Sequence, residues 1–297
     1  MHGFRAACVA IAILLALSAG HHTGVVMTQA EAASQTREVT FPWKGTDDEA
    51  VSNIAVGSLR ESLLMWLKTE RGVHAETLLV SIGSIAGFAA LTASLPRVES
   101  RDIPLPAGAD KSISGEALGN HLRESGLILM ATAKSGEKYY FGDLINGYLV
   151  QQVTTVDIPL WNLIAGVAIQ GGVKPAELPD YKEMFGHTAR AIGTPEFGSG
   201  KAIKQHPPQL GARQALDLFW PRAKFIMTRT DGPGPAQGRS VPVKYWPFVT
   251  AMVAQQFVSQ AKDVVDPRVG VALVMEAAIA MSKVDPAAVP QTLPQAQ

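Results

Sequence analysis

Thr77–Leu95, TLLVSIGSIAGFAALTASL, runs for nineteen residues without a charged side chain. No proline interrupts it, and a segment apolar on every side is either a core helix or a membrane span. Five Ser and Thr residues, Glu76 at the entrance and the matched flanking charges Arg71 and Arg97 favour burial in protein. A core helix over about residues 75–95 is therefore expected, with no integral membrane segment in the body of the chain. Gly83 and Gly87 are four apart, a small-xxx-small spacing that lets two helix backbones approach closely.

The sequence on either side punctuates itself. Upstream, Thr46-Asp47-Asp48-Glu49 has the form of a capping box, and Val51, Ile54, Ala55, Leu59, Leu63, Trp66 and Leu67 recur at three or four residues. This predicts a helix over 47–71, ended by Gly72. Downstream, 96–125 reads as a surface connection with one short helix near 116–124. Leu127–Ala133 and Lys138–Phe141, separated by a Gly-containing turn, read as a β-hairpin lying on the helical body. Helices are expected near 143–150, 159–171, 175–192, 212–228, 245–264 and 267–284. Pro175 and Pro267 stand at first-turn positions, and Pro221 should kink or split its helix. Segments 193–210 and 229–243 are rich in Gly and Pro and read as long loops, the second a mobile loop or lid.

Together these elements predict a mainly α protein, a compact multi-helix bundle with one small β-hairpin. Seven to nine helices would gather around the helices beginning at Ala75 and Pro267. A single helical domain is expected over 39–289, with a flexible tail at 290–297.

Composition narrows the function classes. The 297 residues carry 26 basic and 26 acidic side chains, so the net charge is zero. A dedicated nucleic-acid binder needs a cationic surplus, so no nucleic-acid partner is expected. The single cysteine excludes an intrachain disulfide framework and any zinc site built on several cysteines.

The first 33 residues differ from the rest. Arg5 precedes the uncharged run Ala6–Ala19, which is too short to span a bilayer and suits a signal-peptide core, and Ala30-Glu31-Ala32 supplies a cleavage pattern before Ala33. Export to the periplasm or medium competes with translation from Met27, which would give a cytoplasmic product and make 1–33 a signal-like leader or a mis-assigned start. The Met27 start is the preferred reading.

The chemistry-bearing residues lie beside the charge-poor helices. His74-Ala75-Glu76 matches the H-x-E half of the zinc-deaminase signature, whose Pro-Cys-x-x-Cys half is missing. Glu70 lies four residues before His74, and Glu76 stands where the charge-free helix opens, a favourable place for a capping carboxylate. Glu183 and His187 are also four apart, with Arg190 one turn later, and read as a solvated face carrying an ion pair. Two such acid–His pairs converge on a metal only if their helices meet. Glu276 and Asp217 sit within apolar runs and need partners, for which Arg71, Arg190, Arg213 and Arg222 are available. Ser135-Gly136-Glu137-Lys138 has the S-x-x-K form but in a turn, and 231–240 fails the phosphate-loop pattern.

Arg71–Leu79, Tyr140–Tyr148, Gly193–Gly198 and Leu218–Arg222 resemble segments of a family of uncharacterised bacterial proteins of about 270 residues, over most of the chain from about Val39 to Val289. No activity, cofactor or catalytic residue comes with the resemblance. Proteins of that family usually lack the leader, which supports the Met27 start.

The expected role is therefore that of a soluble small-molecule-binding or protein-interaction protein, taking a small apolar ligand or a protein partner, with no cofactor and no metal. The alternative is an enzyme with a Glu/His acid–base site drawn from Glu70, His74, Glu76, His187 and Glu276 on the central helices.

Overall fold

A computed structural model describes residues 41–94, 129–132, 136–141 and 160–293, together with the strand segments 12–13, 37–38 and 102–104. The expected leader, the short helices near 116–124 and 143–150, Ser135 and the last four residues lie outside the described residues.

Eight α-helices make up most of what is described: α1 Glu49–Trp66, α2 Ala75–Ser94, α3 Leu160–Gln170, α4 Tyr181–Ala191, α5 Lys201–Gln205, α6 Ala212–Thr228, α7 Trp246–Ala261 and α8 Pro267–Met281. The strands are short: β1 Ala12–Ile13 with β2 Arg37–Glu38, β3 Lys68–Thr69 with β4 Gly72–Val73, and a sheet in which β6 Leu129–Thr132 is central. In that sheet β6 pairs parallel to β5 Asp102–Pro104 and antiparallel to β7 Lys138–Phe141. The expected hairpin is thus present with a third strand added. It is fastened to the end of α8, where the Tyr140 amide donates to the Lys283 carbonyl at 2.8 Å.

The charge-free stretch is the axis of the molecule. Seventeen of the twenty residues of α2 are buried, so the helix has no solvent face. By length and composition it could cross a membrane, yet 94% of its apolar window is already covered by protein. It packs on α6, α7 and most extensively on α8. The two glycines permit that approach: a Cβ at Gly83 would stand 2.4 Å from the Val274 carbonyl oxygen, and one at Gly87 2.0 Å from that of Ala278. Four of the five hydroxyls of this otherwise apolar helix are also accounted for, and the buried Ser81 hydroxyl is left without a partner among the described residues. Ser84, Thr92 and Ser94 donate to carbonyls four residues back, while Thr77 serves the loop before α6.

Several boundaries differ from the sequence expectation for local reasons. The first helix ends at Trp66 rather than Arg71, because Lys68–Val73 folds back as a tight hairpin with Gly72 at φ +98°. Its cap is shifted too: Glu49 accepts from the Gly45 amide, and Thr46 donates to the Trp43 carbonyl. The expected 175–192 helix is a 3₁₀ turn at Pro175–Glu177 followed by α4. Pro179 disfavours helix at the residue before it, and Asp180 then caps α4 by accepting from the Lys182 and Glu183 amides. Pro221 neither ends nor divides α6, which is continuous over Ala212–Thr228. The 229–243 segment is anchored rather than lid-like. The Gly238 and Val241 amides donate to the Thr230 and Met227 carbonyls, Ala236 is fully buried, and Arg239 bonds Asp47.

Candidate functional site

Glu276 lies in the middle of α8, among residues buried by α2, and its side chain projects from the opposite face toward the 193–210 segment. That segment is not the structureless loop expected. It holds α5, five residues long, and a helix of that length has too few internal hydrogen bonds to persist alone. Glu276 supplies what it lacks: one carboxylate oxygen accepts the Ala202 amide at 2.9 Å and the other the Ile203 amide at 3.0 Å. Gly200 precedes α5 because its missing side chain leaves room for this carboxylate, which a Cβ would approach to 2.2 Å.

The residue is 7% exposed. Burial pushes its carboxyl above the usual carboxylate range; the amides of Ala202 and Ile203, and the positive potential of His187, act in the opposite direction. The arginine partner expected for Glu276 is absent. Among the described residues no Lys, Arg or His lies within ion-pairing distance of it, and backbone amides take that place.

A cleft of about 350 Å³ opens onto Glu276 between α4, α5 and the first half of α8. Met184, Thr188, Val269 and Ala272 form its lower part. His187 and His206 are half-buried on its walls, and Glu183, Lys201 and Arg268 stand at its rim. Arg268 is committed to Asp266, a contact that holds the Asp266 carboxyl below its ordinary range. Glu183, His187, Lys201 and His206 form no hydrogen bond or ion pair between side chains. The ion pair expected between Glu183 and His187 or Arg190 is therefore not made. His187 also borders a second, more open hollow with Arg190, Thr194 and Glu196, where Lys204 bonds Glu196 at 2.9 Å and holds that carboxyl low.

The other candidates separate from this cleft. Glu70 is exposed in the turn between β3 and β4, so the hairpin removes the helical register that would have aligned it with His74. His74 and Glu76 open α2. The Gln209 amide donates to the Thr77 hydroxyl at 2.8 Å, which is free to donate in turn to His74 Nδ1 at 2.9 Å. That arrangement fits the tautomer with its proton on Nε2, which faces Glu76 at 3.5 Å. His74 thus caps α2 by accepting from the Thr77 amide at 3.4 Å, and Thr77 ties the helix to the loop before α6. Of the five candidates the structure joins Glu276 and His187 in one cleft and leaves Glu70, His74 and Glu76 outside it.

No group of three or more His, Cys, Asp and Glu able to hold a metal occurs among the described residues. Asp217, expected to be buried, is half-exposed and bonded by Arg213 at 3.0 Å one turn before it. Arg222 lies over the Trp66 ring at 5.2 Å. Gly200, Thr188, Lys201 and His206 carry no sequence signal, because their roles depend on a contact across 73 residues of chain.

Comparison of the chain with protein-family models, with curated proteins and with solved structures finds no match.

Proposed function

We propose that this protein binds a small polar molecule in the cleft between α4, α5 and α8. The observation that carries the reading is the buried Glu276 carboxylate, fixed by two backbone amides, at the base of a cleft where the side chains of Glu183, His187, Lys201 and His206 make no bonds to other described residues. A cavity of about 350 Å³ falls in the range of small-ligand sites, and such sites fix their ligands with a few convergent polar groups. The charged and imidazole side chains on its walls point to a polar ligand rather than the apolar one expected from composition. Three helices set the geometry, so the groups are held in place before a ligand arrives.

Extraction of the purified protein under denaturing conditions, followed by mass spectrometry, is expected to recover a stoichiometric small molecule. A Val269→Trp substitution, which fills the cleft from its wall, is expected to abolish retention while the fold is kept. Retention unchanged by Val269→Trp would overturn the assignment to this cleft.

The presence of His187 beside Glu276 supports a second reading, an enzyme using the two as an acid–base pair. It is preferred if the retained compound is converted by the wild-type chain, and if His187→Gln keeps binding but loses conversion.

A further inference from the structure

Glu276 narrows the chemistry of the ligand, on the premise that the cleft is the binding site. A carboxylate 7% exposed is costly when ionised unless a cation or several donors compensate it. Its donors are backbone amides, those of Ala202 and Ile203 with a weaker contribution from Lys201. A carboxylate offers about four acceptor sites, so capacity remains on the side that faces the cleft.

The other polar groups there show the same imbalance. Glu183 pairs with no cation, and the guanidinium of Arg268 is taken by Asp266. Lys201 is left as the one rim cation without an ion pair among the described residues. Thr188 is 6% exposed and borders the cleft, and its hydroxyl bonds no described residue. A buried threonine one helical turn from Met184 could have bonded back along α4, and this one is left open to the cleft.

We infer that the cleft takes a molecule with a small ammonium head, seated on Glu276 with the Thr188 hydroxyl and Glu183 beside it. The head belongs either to a simple amine or to a free amino acid, whose carboxylate would then reach Lys201. The titratable and charged groups around the seat are Asp180, Glu183 and His187 from α4, Lys201 and His206 from the α5 segment, and Arg268 from α8. Acid protonates Glu276, whose carboxyl burial holds above the usual range, and a neutral carboxyl no longer attracts an ammonium ion. Affinity therefore rises with pH, with release of a proton on binding.

Calorimetric titration of the full chain at pH 7.5, after unfolding and refolding to remove any retained molecule, with four probes tests this: ethylamine, alanine, propionate and glycerol. Saturable binding of ethylamine or alanine is expected, weakened roughly threefold to tenfold by Glu183→Gln, an exposed position where the fold is not at risk. Alanine binding better than ethylamine, with the preference lost in Lys201→Ala, identifies an amino acid; equal binding identifies a simple amine. Propionate or glycerol binding without the ammonium compounds overturns the inference and leaves the cleft reading standing. Absence of binding by all four likewise overturns the inference, while the cleft reading stands or falls on retention in Val269→Trp.

Discussion

Gly200 has ordinary extended dihedrals, φ −71° and ψ −178°, so its backbone does not require glycine; the Glu276 carboxylate does. A Cβ there would overlap the carboxyl group. Gly200→Ala is therefore expected to displace Glu276 from the α5 amides at a cost of about 1–3 kcal/mol, typical of overpacking. Hydrogen exchange checks the mechanism: the Ala202 and Ile203 amides should exchange faster in the variant, while those of α2 keep their protection. Glu276 also leaves a signature in pH dependence. In the unfolded chain it releases its proton near 4.5, and in the fold burial holds that proton to higher pH. The folded state thus binds more protons across that window. Its contribution to stability is fully present below about pH 4.5 and is lost as pH rises through the elevated folded value. Denaturant unfolding from pH 4 to 8 should show the wild type losing stability relative to Glu276→Gln as pH increases. A wild-type advantage that grows with pH would mean that the two amide bonds outweigh the burial.

At the scale of elements, the long helices were legible because each carries its own signal. The termini of α6 match the expectation, α8 opens with Asp266-Pro267 as read, and the glycine spacing in α2 correctly announced a close helix contact. What sequence pattern missed is held together across the chain. Residues 193–210 look like a loop locally, and become α5 and its anchors only because Glu276 and Thr77 supply partners from α8 and α2. The Glu70–His74 pair fails for the same kind of reason. Spacing of four aligns two side chains only within a continuous helix, and the β3–β4 hairpin interrupts it between Glu70 and His74. Thr77 is the element-scale test. Its hydroxyl links the start of α2 to Gln209, and Thr77→Val removes that acceptor along with the bond to His74 while keeping the volume. A loss of about 0.5–1.5 kcal/mol is expected in chemical denaturation, from the lost hydrogen bond to a part-buried amide, and Thr77→Ser should recover most of it. If Thr77→Val proves as stable as the wild type, the α2–loop link does not help to hold the fold.

For the whole molecule, α8 is the shared part: one face meets α2 in the core, and the other presents Glu276 to the cleft. The site geometry is thus tied to how closely α2 and α8 approach, and that distance is set by Gly83 and Gly87. The obstacles to a side chain at these positions are backbone carbonyls of Val274 and Ala278, which cannot rotate away as a side chain can. Gly57 in α1 is the natural comparison, since a Cβ there meets nothing within 4 Å. The same substitution should then act in opposite directions. Gly57→Ala removes the cost of glycine in a helix interior and is expected to stabilise the protein by about 0.5–1 kcal/mol. Gly87→Ala forces the two central helices apart and is expected to destabilise it by about 3 kcal/mol or more, with Gly83→Ala, at the slightly wider contact, less severe. The consequence for the cleft is distinct from the loss of stability. Under conditions where Gly83→Ala remains folded, the shift of α8 should loosen the Glu276 bonds, so the Ala202 and Ile203 amides lose protection although no residue of the cleft has changed. Protection retained there, in a folded Gly83→Ala protein, would show that α8 absorbs the strain before it reaches Glu276 and that the core and the cleft are independent.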